Sequence, residues 1–337
     1  MDEKKKKGGI LGRMGVLLAL LVVIIIMTVL TKGQFLTFRN LMNVLRQTPK
    51  TALLGIGELC VILLGGIDLS VGATLALATC CAGVAYKAGI TSSIVLLLIC
   101  VIAGALFGAI NGTLLTKLQL PHPFIATLGT KNIYRGLALL ITSATAVAFA
   151  QGDVTGLKFL GAVSLGNIFP VSIVFALVIF VIMHIFLSKT PLGRKIYAFG
   201  GNKEAARLAG INTDRVQIIA YALSGFFAAC AGIVYMGRLN SAVPLAYLEG
   251  DSDAIASCII GGASFLGGKG NVWGTLVGAF MIAIIRNGCD LMGISSDLQQ
   301  IVIGAIIIGA VAVDVVRARA DAKAKRMAVA EANMEAK

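Results

Sequence analysis

Apolar stretches long enough to cross a bilayer recur from one end of this 337-residue chain to the other. A hydrocarbon core ~30 Å thick takes about 20 such residues in a helix rising ~1.5 Å per residue. Inside that core every backbone N–H and C=O has to be satisfied within the protein, which leaves helices or closed barrels. The runs here are continuously apolar rather than alternating, so a barrel is excluded. Composition agrees: 58% of the residues are hydrophobic and 13% charged, where soluble domains carry about 25% charge. The expected fold is an all-α polytopic membrane protein.

Ten spans can be placed, near 14–31, 51–66, 70–87, 92–116, 122–142, 168–188, 216–236, 250–265, 272–292 and 296–316. The start of the chain has a basic region like that of a signal peptide. Its apolar core is too long for one and no small-residue cleavage site follows Leu30, so a retained anchor is expected. An even count puts both termini on one side, and Lys and Arg mark that side as cytoplasmic. It receives Lys4 to Lys7, Arg13, Lys117, six bases between Lys189 and Arg215, Lys269 and the tail from Arg317, about nineteen of the 29 basic residues. The net charge of +13 is thus explained by topology rather than by nucleic-acid binding. The organisation is a basic tail at 1–13, a membrane domain at 14–316 with a polar loop at 189–215, and a charged tail at 317–337.

One segment resists this scheme. "FLTFRNLMNVLR" should face outward, yet it carries bases and sets Phe35, Phe38, Leu41, Met42 and Leu45 on one face. Two readings stand: an amphipathic piece lying in the interface, or a different span count near the N-terminus.

Several spans look discontinuous. "LLGGIDLSVGA" places glycines and Asp68 where two apolar runs meet, "QLPHPFIATLGT" puts Pro121 and Pro123 at the mouth of a span, and "YLEGDSDAIASCIIGGASFLGGKG" closes a short span with a glycine-rich turn. Irregular backbone at membrane depth is tolerated only beside protein or a wet cavity, as at the midplane sites of transporters. Gly104, Gly108 and Gly112 form one ladder of small residues and Gly274 and Gly278 another, each followed by an Asn (Asn111, Asn287). Such ladders let helices approach closely. Their recurrence in spans of opposite direction is a trace of a five-plus-five inverted repeat.

Catalytic and metal chemistry find no constellation. The two histidines, His122 and His184, are far apart, and the seven cysteines form no CxxC pair and read as small buried hydrophobes. The segment Gly261–Gly270 imitates a phosphate-binding loop. It has Ala263 at the first glycine position and Gly270 where a hydroxyl residue is needed, so it is a turn. No cofactor, metal or enzymatic activity is expected.

Ionisable residues within spans are functional candidates. Lys131 and Arg135, four apart on one face, can line a wet pathway or bond free carbonyls around Gly129 in a broken helix. Glu58 can pair with one of these bases or sit among the helices. Arg286 and Asp290 have the spacing of a local ion pair. Asp68 and Ser70 read first as caps of the third span and second as solute contacts. The expected solute pathway draws on Asp68, Ser70, Asn111, Phe124, Thr127, Lys131 and Arg135.

The loop stretch "YAFGGNKEAARLAGI" (197–211) has the grammar of a short soluble helix. Asn202 is a good N-cap, Glu204 suits the first turn, and Gly210 can end the helix in the left-handed conformation. Ala205, Leu208 and Ala209 make a small apolar face, with Lys203, Glu204 and Arg207 polar. A helix this short is not stable alone in water and needs something to dock on, either its own protein or a partner.

The runs "GGIDLSVG", "FIATLGT", "TPLGRKIYAFGGNKEAARLAGIN", "DAIASCIIGGASFLGGKGNVWGTLVGA" and "GISSDLQQIVIGAIII", in this order over nearly the whole chain, resemble the membrane permease of ribose-type ATP-binding-cassette sugar importers. The outer loop "LEGDSDAIAS" departs from the Tyr-Glu-Leu-Asp-like sequence common there. The resemblance implies a ten-helix permease in the plasma (inner) membrane, paired as a homodimer. It implies a cytoplasmic ATPase that binds the ATP and an extracytoplasmic sugar-binding protein as partners. It also implies that Asn202, Lys203, Glu204, Ala205, Arg207, Leu208, Ala209 and Gly210 form the segment coupled to the ATPase. An ion-coupled secondary carrier, a related importer for nucleosides or branched amino acids, and an interaction scaffold without transport are the alternatives.

Overall fold

The computed structural model describes residues 2–120, 122–150, 154–166, 168–312 and 315–316, with side chains from Gly15 onward within these. Pro121 and the tail 317–337, both singled out in the sequence, lie outside the described residues, as do the side chains of Lys4 to Lys7 and Arg13. The helices are α1 (Asp2–Leu30), α2 (Phe38–Ile62), α3 (Val71–Lys87), α4 (Ser93–Lys117), α5 (Pro123–Ile141), α6 (Thr155–Gly161), α7 (Val171–Lys189), α8 (Pro191–Gly201), α9 (Lys203–Leu208), α10 (Thr213–Leu239), α11 (Gly250–Ile260) and α12 (Val272–Leu291). A last helix, α13, runs over Ser296–Ala312. Among the described residues strand is confined to two-residue pairs, Val147–Ala148 against Ser241–Ala242 and Ser164–Leu165 against Phe169–Pro170. The chain is an all-α polytopic membrane protein.

Ten helices answer to the ten spans, with α6, α8 and α9 lying between them. Helices α4, α7, α10 and α12 are each long and apolar enough to cross a bilayer. The amphipathic piece after α1 does not lie flat on its own: from Phe38 it is the first half of α2, which continues unbroken through Pro49 to Ile62. Phe35 is buried beside Met27, Ile284 and Cys289, whereas Phe38 and Leu41 face outward. One apolar face therefore splits between the core and the surroundings.

The glycine ladders set the closest approaches. A Cβ on Gly104 would clash with the Gly225 carbonyl, one on Gly108 with the Tyr221 carbonyl, and one on Gly112 with Ile218, so α4 lies backbone-to-backbone on α10. Likewise Gly274 and Gly278 of α12 abut the Gly261 and Ser257 carbonyls at the end of α11. Removing side chains at such contacts lets dispersion and close packing hold helices that lipid does not drive together. The seven cysteines are free and, Cys81 aside, buried, in keeping with their reading as small hydrophobes.

Candidate functional site

Helix α9 is specified at both ends. The Asn202 backbone is extended, and its Oδ1 accepts from the Ala205 N–H at 2.9 Å, which satisfies one orphan donor of the first turn. Gly210 takes φ +81°. Its N–H donates to the Arg207 carbonyl, and that of Ile211 to the Ala206 carbonyl, the paired closure that a left-handed residue after a helix permits. Arg207 donates to Glu204 at 2.6 Å, and this guanidinium holds the Glu204 carboxyl below the usual carboxylate range. Ala206 turns inward, while Ala205, Leu208 and Ala209 face out and Leu208 is 80% exposed. The apolar face read from the sequence is uncovered.

Helix α8 ties this knob to the bundle. Thr190 caps it through the Gly193 N–H at 3.1 Å, and Ile196 and Phe199 enter the core. A Cβ on Gly200 would clash with the Leu63 carbonyl, and one on Gly267 would stand 2.9 Å from both the Gly65 nitrogen and the Gly200 oxygen. The Gly268 N–H donates to the same Leu63 carbonyl at 2.9 Å, and Tyr197 Oη to the Gly270 carbonyl at 2.8 Å. Gly267 and Gly268 take φ of +80° and +69°, a conformation that favours glycine. The glycine-rich turn is thus the third backbone in a junction with the end of α8 and the break after α2.

Beyond that break lies a buried polar network. Asp68 Oδ1 accepts from the Ser70 N–H at 3.0 Å and its hydroxyl at 2.6 Å, and Oδ2 from the Ser224 hydroxyl of α10 at 3.0 Å. Asn111 of α4 donates to Ser70 Oγ at 2.7 Å and accepts from Tyr134 Oη of α5 at 3.0 Å. Glu58 Oε1 accepts from the Asp68 N–H, and Thr127 Oγ1 bonds the Ile67 carbonyl. Five helices and one unwound loop meet here. Glu58 Oε2 and the Tyr221 hydroxyl are buried with no hydrogen-bond partner among the described residues.

A second cluster meets α2 at Thr51, near the middle of the helix. Arg286 of α12 grips Asp253 of α11 with two nitrogens at 2.7–3.2 Å, and Tyr247 Oη donates to the same carboxylate at 2.6 Å. Thr51 of α2 bonds the Tyr247 hydroxyl at 2.7 Å. Lys131 pairs with Asp251 at 2.6 Å, and Arg135 donates to the Pro244 and Ala246 carbonyls at 2.9 and 3.0 Å.

These contacts correct three expectations and decide between the two readings of Glu58. Ser70 stands at the N-cap of α3 without a side-chain cap bond, because its hydroxyl donates to Asp68 and accepts from Asn111, while Asp68 takes the Ser70 N–H as expected of a residue at the start of the helix. Arg286 does not pair with Asp290, which accepts from Gln299 instead; a buried carboxylate across the helix interface outcompetes a neighbour one turn away. Glu58 bonds neither base and sits buried among the helices, the second of its two readings. Helix α5 is not broken at Gly129, so the carbonyls that hold Arg135 come from the loop before α11. The pathway residues divide accordingly: Asp68, Ser70, Asn111 and Thr127 gather in the first network, Lys131 and Arg135 reach the second, and Phe124 is 47% exposed, only its carbonyl reached by Thr127 Oγ1. Sequence reasoning missed Tyr134, Ser224 and Tyr247 as members.

A model of the family described as "Branched-chain amino acid transport system / permease component" matches residues 40–311. The chain is 38% identical to the D-allose transport system permease protein of Escherichia coli K12, over 89% of this chain and 90% of that one. It is 40% identical to the ribose import permease protein of Bacillus subtilis, over 91% and 94%. To the ribose import permease protein of Escherichia coli K12 it is 41% identical, over 88% and 92%. No solved structure matches the chain.

Proposed function

The chain belongs to this permease-component family, and from that premise we propose that it is the membrane subunit of an ATP-driven, binding-protein-dependent importer of a monosaccharide. The relatives named above for ribose and allose support the solute class. In this reading ATP is bound by a separate cytoplasmic ATPase, solute is delivered by an extracytoplasmic sugar-binding protein, and a second copy completes the pore. The chain lies in the inner membrane with both termini cytoplasmic, following the basic residues.

One observation carries the coupling assignment: α9 is capped at both ends yet leaves Leu208 80% exposed. A helix of six residues is not stable on its own, and its apolar face of Ala205, Leu208 and Ala209 is left bare for a partner to cover. Closure of the ATPase moves α9, α8 follows, and the Gly200–Leu63 contact passes the displacement to the end of α2 and the loop that carries Asp68. Inward-open and outward-open states then differ in how the two polar clusters are arranged.

The test is co-purification of the ATPase with the permease. Leu208→Asp abolishes it while leaving the permease's own unfolding midpoint within about 1 °C, since substitutions at exposed sites are near neutral. Retention of the ATPase by this variant overturns the assignment.

A further inference from the structure

A cavity of about 220 Å³ opens among Lys50, Tyr235, Leu245, Tyr247, Leu248, Glu249 and Arg286. It lies far from the α8 junction. Lys50 precedes Leu63 on α2 by thirteen residues, about 20 Å of helix. Tyr235 is near the far end of α10, and Arg286 is fourteen residues, again about 20 Å, into α12. Side chains from three helices and the loop before α11 therefore converge on one chamber near the opposite face from α9.

Its chemistry is specific. The Lys50 ammonium forms no ion pair among the described residues; it sits 4.2 Å from the Tyr247 ring centroid and 5.9 Å from that of Tyr235. The two rings are parallel, with centroids 6.2 Å apart. Glu249 Oε1 accepts from Gln300 at 3.2 Å, leaving the carboxylate further acceptor capacity. The charge of Arg286 is matched by Asp253, so Lys50 and Glu249 are the donor and acceptor left to a solute. Opposite charges on one small chamber disfavour a net anion or cation. Hydroxyl groups, which both donate and accept, satisfy both walls, and a tyrosine face receives the C–H side of a sugar ring. Only Leu245 and Leu248 in the lining are aliphatic, which leaves little wall for a branched alkyl chain. The volume lies below the ~300–1,000 Å³ of drug-sized pockets and suits a small solute.

We propose that this chamber is a solute-binding station of the permease, taking a neutral polyhydroxylated molecule, with Lys50 and Glu249 as its hydrogen-bonding pair and Tyr235 as its stacking wall. The assignment rests on the importer reading and names where within this chain the solute is held.

The test uses the full transporter, reconstituted with its ATPase and binding protein, and D-ribose as probe. Glu249→Gln, a near-isosteric change, lowers ATP-driven uptake about tenfold, the loss expected for a charged hydrogen bond, while ATPase co-purification and basal ATP hydrolysis stay at wild-type levels. Tyr235→Ala behaves alike. On the detergent-purified permease, saturation-transfer NMR detects D-ribose with the wild type, loses it with both variants, and detects no L-leucine. If the wild type transports D-ribose and Glu249→Gln transports it equally well, the station is overturned and the importer reading stands. If L-leucine binds in a Glu249-dependent way and D-ribose does not, the polyol assignment is overturned. A wild-type transporter that moves no sugar with its partners present overturns both.

Discussion

Gly200, in the last turn of α8, lies against the carbonyl of Leu63, the residue that closes α2, so closely that a Cβ there would clash with it. With the Gly268 N–H that donates to the same carbonyl, this contact joins α8, and through it the exposed α9, to the loop that holds Asp68. A side chain at 200 forces the two apart, whereas Gly201 has open space around it. Gly200→Val should cost about 1–3 kcal/mol, the usual penalty of overpacking, and cut ATP-driven uptake. Gly201→Ala should do neither. Unfolding midpoints and uptake rates on the same preparations check the pair.

Loss of the Asn202 cap is a local effect. Asn202→Ala should destabilise α9 by about 1 kcal/mol, equivalent to roughly fivefold more opening, read as faster hydrogen exchange of the Ala205–Leu208 amides. Asn202→Asp, which caps as well, should restore protection. Equal exchange in all three proteins would mean that packing through Ala206 alone holds the helix.

Asp253 is fully buried and held by Arg286. Arg286→Met leaves that carboxylate without its counter-charge and should cost about 3–5 kcal/mol. Adding Asp253→Asn should return much of the loss, because the remaining amide needs no counter-ion. A double-mutant cycle on thermal unfolding measures the coupling; additive losses would show that the two residues act separately.

Gly108 faces the Tyr221 carbonyl across the α4–α10 contact, while Gly136 of α5 has nothing near it. Gly108→Leu should prevent the two helices from meeting and abolish folded yield in detergent, and Gly136→Leu should be tolerated. Monodispersity on size exclusion distinguishes them.

What the sequence revealed follows the range of the interactions. The spans are written in continuous apolar runs, and both caps of α9 lie within nine residues, so periodicity and local rules sufficed. Asp68 could be recognised as a polar residue at a break, but its partner Ser224 lies 156 residues away, and no local pattern links them. Arg286 illustrates the same limit in reverse: Asp290 has the right spacing on the same helix, yet Asp253 on α11 takes the guanidinium because its burial makes the pairing obligatory. The glycine-rich turn was legible as a turn. Its role in abutting Gly65 and Gly200 depended on folding.

We propose that this chain moves solute only when a separate motor acts on α9. Accumulation of D-ribose by sealed proteoliposomes measures it directly. Uphill uptake is expected when permease, ATPase, binding protein and ATP are all present, and none when a sodium or proton gradient is imposed on vesicles holding the permease alone. Uphill accumulation by the permease alone on such a gradient would contradict it.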